Sequence, residues 1–210
     1  TTFRFLSLLV SQLRGEYFIR GGKRLLSRPQ AEVIEVLGQF DVAAEFTNEE
    51  FRIHNLKGGW KIPAAGVRVS MSESSQFASA ILLSAWGLSR ELMLDFGKSR
   101  ISESYLKMTM NLVSSLGMKV STADGFGILK LPPQSRIQVP RIEIEPDLSS
   151  AFAIAALGCL KGDVLISNFP TTSLQPDFAF LTILEIMGVQ VRHTRDGLWV
   201  EKPNQLRPIS

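Results

Sequence analysis

The sequence predicts an α+β protein built from about three copies of one helix–strand–helix–strand–strand unit, and three observations predict it. Paired hydroxyl residues open an apolar helical run near Thr1, Ser74 and Ser149. A short β-rich stretch and a second, amphipathic helical run follow each of them. The stretches Gly15 to Asp41 and Gly162 to Gly188 have the same length, as expected of repeated units.

The first helices are predicted over the runs Phe3 to Leu13, Phe77 to Leu88 and Ala151 to Leu160. Each starts after Thr1-Thr2, Ser74-Ser75 or Ser149-Ser150, whose hydroxyls are suited to the free amides of a first turn. The following strands are Tyr17-Phe18-Ile19, Leu92-Met93-Leu94 and Val164-Leu165-Ile166. Second helices carry their apolar faces as Val33, Ile34, Leu37, then Met108, Leu112, Val113, Leu116, then Phe180, Leu181, Leu184, Met187. They end at Asp41, Gly117 and Gly188, where a left-handed residue is wanted. A hairpin closes each unit, clearest where Val189 to Arg192 turns through Arg195-Asp196-Gly197 into Leu198-Trp199-Val200. A further strand is expected in each connector. Pro132-Pro133, with Pro140 and Pro146 downstream, breaks the chain between the second and third units. That connector is the expected domain boundary.

Composition narrows the function. With 210 residues, 45% hydrophobic and 20% charged, the chain can bury a core. Its 23 basic and 20 acidic residues are scattered, which argues against nucleic acid and suits small anionic ligands. No stretch approaches the ~20 apolar residues of a membrane span. The one cysteine, Cys159, lies in an apolar run and reads as a buried thiol, consistent with a cytoplasmic setting. Thr1 to Leu6 read as the inside of a helix, so the chain is expected to begin within a longer protein. His54 and His193 lack neighbours at ligand spacing, so no metal site is expected. No nucleophile elbow or Gly-rich phosphate loop occurs.

An anion site is better supported. Ser72-Glu73-Ser74-Ser75-Gln76-Phe77 places hydroxyls, amides and a side-chain amide at the start of an apolar helix, where the dipole favours phosphate. Arg4, Lys23, Arg24 and Arg28 are candidate partners, because guanidinium groups grip phosphate and carboxylate in forked geometry. An ordinary helix cap and solvated surface charges are the bland alternatives.

These residues carry a resemblance. Ser74-Ser75-Gln76-Phe77 is similar to the S-S-Q-[FY] signature of 5-enolpyruvylshikimate-3-phosphate synthases, and Thr1 to Leu6 to the end of their N-x-G-T-x-x-R motif. Arg24-Leu25-Leu26-Ser27-Arg28-Pro29 resembles R-M-x-x-R-P, and Ser102-Glu103-Ser104-Tyr105 resembles S-x-P-Y. Glu145 to Ala151 resembles E-G-D-x-S-S-A. The motifs run in order over essentially the whole chain. Ser104, Pro146 and Pro176 depart from the pattern.

The resemblance implies the α/β prism of enolpyruvyl transferases, with inverse βαβαββ units. Residues 1–142 would form most of the shikimate-phosphate-binding domain and 143–210 the first unit of a second. It implies enolpyruvyl transfer from phosphoenolpyruvate to shikimate 3-phosphate, in the shikimate pathway to chorismate and the aromatic amino acids. No cofactor or metal is expected, and the parent enzyme would be a cytoplasmic monomer. The implied substrate-binding residues are Ser74, Ser75 and Gln76 for the phosphate and hydroxyls, Ser102 for the phosphate and Tyr105 against the ring. Arg28 and Gln76 would meet phosphoenolpyruvate, and Arg4 would support that pocket. The family's acids and bases match no residue here, so no catalytic residue is assigned and the chain alone is expected to be inactive. Two alternatives remain: a non-catalytic module of the same fold, and the sister transferase acting on UDP-N-acetylglucosamine. The sister enzyme's loop cysteine is absent near Arg24 to Pro29.

Overall fold

The computed structural model describes the chain except residues 23, 24, 26–30, 48, 49, 73, 98–101, 140 and 210. Two compact units are present, Thr1–Pro140 and Arg141–Ser210.

In the first unit, α1 (Thr2–Ser11) leads to β1 (Gly15–Arg20), α2 (Ala31–Gln39) and the strands β2 (Ala43–Phe46) and β3 (Glu50–Asn55). After β4 (Val67–Arg68) the order recurs as α3 (Gln76–Ser84), β5 (Leu92–Asp95), α4 (Glu103–Ser115), β6 (Ser121–Ala123) and β7 (Ile128–Leu131). The second unit holds α5 (Leu148–Lys161), β8 (Val164–Ser167), a 3-10 turn (Pro176–Ala179), α6 (Phe180–Ile186), β9 (Val191–Thr194) and β10 (Gly197–Val200). The sheets run β1-β3-β2, β4-β5-β7-β6 and β8-β10-β9. In each, the strand after the first helix pairs antiparallel with the last strand of the closing hairpin. β4 is the connector strand expected before α3, and it pairs parallel with β5. The connector before α5 carries no strand among the described residues; its prolines remove the amide donors a ladder needs.

Each second helix ends in one hydrogen-bond pattern. The amides of Asp41, Gly117 and Gly188 donate to the carbonyls of Gly38, Ser114 and Glu185 at 3.0, 3.0 and 2.9 Å. The next amides, of Val42, Met118 and Val189, reach back to Leu37, Val113 and Leu184 at 3.1, 3.0 and 2.9 Å. This double closure requires positive φ at the turning residue, and the values are 62°, 111° and 83°. Asp41 is therefore left-handed, a conformation that costs a non-glycine residue about 1 kcal/mol. Lys61 Nζ at 3.3 Å and Lys57 Nζ at 3.8 Å from its carboxylate are exposed and offset little of that.

The helix starts differ from expectation. Thr1 and Ser75 flank α1 and α3 without a side-chain capping bond. It is Ser74 Oγ that accepts from the Gln76 amide, at 3.2 Å. Ser149 and Ser150 fall inside the first turn of α5, and the cap is Asp147, which accepts from Ser149 N at 3.1 Å and Ser150 Oγ at 2.6 Å. A carboxylate satisfies the amides and also meets the positive end of the helix dipole, so it outcompetes a hydroxyl there. The Ser150 hydroxyl and these amides hold the Asp147 carboxyl below its usual range.

The first unit's core wraps α3, whose Phe77, Ala78, Ala80, Ile81 and Leu82 are all buried. A helix apolar on every side needs partners on every side, and α1 and α4 supply two of them. On α1 the stripe Phe3, Ser7, Leu8 and Ser11 is buried. Ser7 and Ser11 return their hydroxyls to the carbonyls of Phe3 and Leu8, at 2.8 and 2.7 Å, so small polar residues sit at the contact without unpaired donors. Phe3, Phe46 and Phe51 cluster with centroids 4.4–5.9 Å apart. The second unit has its own core, including Ala155, Phe169, Leu184 and Leu198. Cys159 is buried in it, which pushes its thiol pKa up.

One buried charge links stability to pH. Glu50 in β3 is bracketed by Arg20 Nε at 2.9 Å and Arg52 Nε at 3.1 Å. Those hydrogen bonds, Arg20 first, hold its carboxyl below the ordinary value of 4.5. A lowered folded-state pKa gives stability that is present above 4.5 and lost as pH falls through the lowered value. Glu50→Gln should lower the melting temperature at neutral pH and converge with the parent in strong acid. Equal offsets at both pH values would contradict this.

Candidate functional site

The start of α3 and the start of α4 face one cavity of about 590 Å³. Ser74, Ser75 and Gln76 contribute from α3; Ser102 and Tyr105 contribute from α4. Residues separated by about 30 positions thus converge because both helices present their N-terminal ends to the same side. Thr1 and Ser79 add hydroxyls, and Phe5, Leu83, Met108 and Leu112 form an apolar wall. The apolar face predicted for α4, Met108, Leu112, Val113 and Leu116, is divided. Met108 and Leu112 lie along this wall, while α4 buries Leu106 and Val113 on its other flank.

Gln76 is held by both ends of its amide. Arg4 Nη1 donates to Gln76 Oε1 at 3.3 Å, and Gln76 Nε2 donates to Thr1 Oγ1 at 3.1 Å. A guanidinium has only donors, so the amide oxygen must face Arg4 and the amide nitrogen the cavity side. The Arg4 guanidinium also lies 4.5 Å from the centre of the Phe77 ring, which fixes it over α3. Arg4 is therefore placed behind Gln76 rather than in the lining. Ser75 is 3% exposed, and its neighbour Ser74 takes the capping bond.

Ser102 precedes α4 with φ 57° and ψ 33°, a left-handed serine. Such a conformation costs of order 1 kcal/mol and recurs at binding sites. Tyr105 is 43% exposed and lines the cavity. Among the described residues the lining carries no charged side chain, so hydroxyls, an amide and helix ends supply its polarity. Lys23, Arg24 and the predicted site residue Arg28 lie outside the described residues. Also among the described residues, no cluster of His, Cys, Asp or Glu is placed to hold a metal, and no helix is long and apolar enough to cross a membrane.

Sequence reasoning missed Ser79 and Thr109, both in the lining. The signal was present: they follow Ser75 and Tyr105 by four residues, on the same helix faces.

Comparison with known proteins identifies the family. The crystal structure of the enolpyruvyl transferase NikO from Streptomyces tendae shares the fold at a TM-score of 0.62 and 17% identity, covering 97% of this chain and 47% of that one. The 3-phosphoshikimate 1-carboxyvinyltransferases of Dehalococcoides mccartyi and Trichormus variabilis are each 30% identical over 100% of this chain. They match over 48% and 49% of their own lengths, so the chain spans about half the length of these relatives. The family profile described as EPSP synthase (3-phosphoshikimate 1-carboxyvinyltransferase) matches residues 1–210. A match from the first residue to the last, over a mixed α/β fold shared with an enolpyruvyl transferase, makes this chain a member of the EPSP synthase family.

Proposed function

We propose that this chain supplies the shikimate 3-phosphate side of an enolpyruvyl transferase active site. The observation that carries the reading is the convergence of Ser74, Ser75, Gln76, Ser102 and Tyr105 on one cavity at two helix starts. Hydroxyls and first-turn amides suit a phosphate, and the positive end of a helix dipole adds to their effect. Ser74, Ser75 and Ser102 hold the 3-phosphate, Gln76 meets the ring hydroxyls and phosphoenolpyruvate, and Tyr105 lies against the ring. Arg28 contacts phosphoenolpyruvate, and Arg4 orients Gln76.

Residues Thr1–Pro140 then form most of one domain, and the unit from Arg141 opens the other. Three copies of one inverse βαβαββ unit account for the shared strand order of the three sheets and the shared closure of the three helix ends.

In the reaction, the 5-hydroxyl of shikimate 3-phosphate gives up its proton as its oxygen bonds to C2 of phosphoenolpyruvate, whose methylene carbon takes up a proton. The tetrahedral adduct then loses a proton from that methyl group while the C–O bond to phosphate breaks, releasing inorganic phosphate. The chain's residues hold and orient the acceptor for this sequence. None of them is assigned the proton transfers, so the chain alone turns over near background.

Calorimetric or NMR titration of shikimate 3-phosphate tests the reading. Saturable binding that Ser75→Ala weakens about tenfold is expected for loss of a hydrogen bond to a charged group. No heat or shift at millimolar ligand overturns it. Phosphate release with both substrates should stay at background, and ordinary turnover would show that the catalytic groups are here after all.

A further inference from the structure

Two hydroxyls outside the signature motifs face each other at the cavity wall. Ser79 stands one turn after Ser75 on α3, and Thr109 one turn after Tyr105 on α4, so each shares a face with a proposed ligand contact. Both are buried, at 4% and 7% exposure. Thr109 Oγ1 lies 3.0 Å from Ser79 Oγ and 2.9 Å from the Tyr105 carbonyl oxygen.

Thr109 is the donor in both contacts, and a hydroxyl has one hydrogen to give, so the Ser79 hydroxyl oxygen and the Tyr105 carbonyl oxygen share it. The Thr109 hydroxyl thus ties α4 to Ser79 on α3 and to the preceding turn of its own helix. Among the described residues this is the side-chain hydrogen bond that joins α3 to α4.

Apolar packing between two helices is non-directional, and it tolerates small slides that keep the same area buried. A buried hydroxyl pair does not, because any slide that parts the two leaves the Ser79 oxygen without its donor in the interior. We propose that the Ser79–Thr109 pair is a positioning device that sets the register of α4 against α3. In doing so it sets the gap between Ser74-Ser75-Gln76 on one side of the ligand and Ser102 and Tyr105 on the other. The inference rests on the cavity being the shikimate 3-phosphate site.

The test compares Thr109→Val, which keeps the shape and removes the hydroxyl, with Thr109→Ser, which keeps the hydroxyl and removes a methyl. Shikimate 3-phosphate affinity is measured by calorimetry on the whole chain, with melting temperature alongside. Thr109→Val and Ser79→Ala should each weaken binding about tenfold, and the double variant no further, since one pair acts as a unit. Thr109→Ser should stay within about twofold of the parent. Parental affinity in Thr109→Val overturns the proposal, and so does a loss in Thr109→Ser as large as in Thr109→Val, which would mark packing as the cause.

If the parent chain binds no ligand at all, the reading of the cavity fails first. The pair is then judged in the free chain, whose two tyrosines make the Tyr105 ring signals simple to assign by NMR. Ser79→Ala, on the opposite helix, should shift those signals. Unmoved signals overturn the pair's role.

Discussion

Replacing Gln76 by Glu is expected to weaken binding of shikimate 3-phosphate by about a hundredfold while leaving the fold at least as stable. The two side chains have the same shape, so the cavity keeps its volume. What changes is the group on the ligand side, where an amide nitrogen that donates to Thr1 becomes a carboxylate oxygen. Two like unit charges about 5 Å apart repel by roughly 3 kcal/mol at an effective dielectric of about 20. That is about two decades of affinity. Arg4, 3.3 Å from the present amide oxygen, gains an ion partner, so the melting temperature should hold or rise. Gln76→Ala should lose less affinity, since it removes a hydrogen-bonding group without introducing repulsion. Affinity for shikimate 3-phosphate in Gln76→Glu close to that of the parent would show that the start of α3 does not face an anion. A matched titration with uncharged shikimate analogues should show a smaller penalty, because the effect is electrostatic.

Gly197→Ala is expected to destabilise the second unit by about 3 kcal/mol or more, the range reserved for clashes the backbone cannot relax. Gly197 opens β10 with φ 144°, a conformation that side chains rarely adopt. A Cβ there would stand 2.1 Å from the Ile166 carbonyl oxygen and 2.9 Å from the Ser167 Cα, both backbone atoms of β8. Relief requires parting β10 from β8, the pair that carries Leu198 and Val200 into the core opposite Ile166 and Val164. The first unit has a separate core, so its melting should be little affected. Two transitions in thermal unfolding, of which only one moves, are the expected result. A melting curve like the parent's would show that the β8–β10 approach is looser than the structure has it.

The two experiments separate what was legible from what was not. The apolar spacing of Val33 and Leu37, or of Phe180 and Leu184, announces a helix face because 3.6-residue periodicity is a local property of the chain. Left-handed closure at Asp41, Gly117 and Gly188 was legible for the same reason. The hydroxyl caps were misassigned at Ser149 because Asp147, two residues earlier, satisfies the same amides more strongly, and a choice between neighbours is settled by geometry. Met108 and Leu112 were read with Val113 and Leu116 as one apolar helix face, since spacing does not say what a face packs against. Only the placement of α3 beside α4 shows that their face borders a cavity.

By itself, the sequence determined the α+β class, the order of helices and strands, the family motifs and the candidate anion-binding start of α3. These depend on residue type and short-range spacing, which the chain carries locally. The resemblance implied that Ser102 and Tyr105 share a ligand with Ser74, Ser75 and Gln76; the tertiary structure gave their cavity, and it alone placed Arg4 against Gln76 and Thr109 against Ser79. Each of those joins segments about 30 to 70 positions apart, and such contacts exist only once the helices have packed.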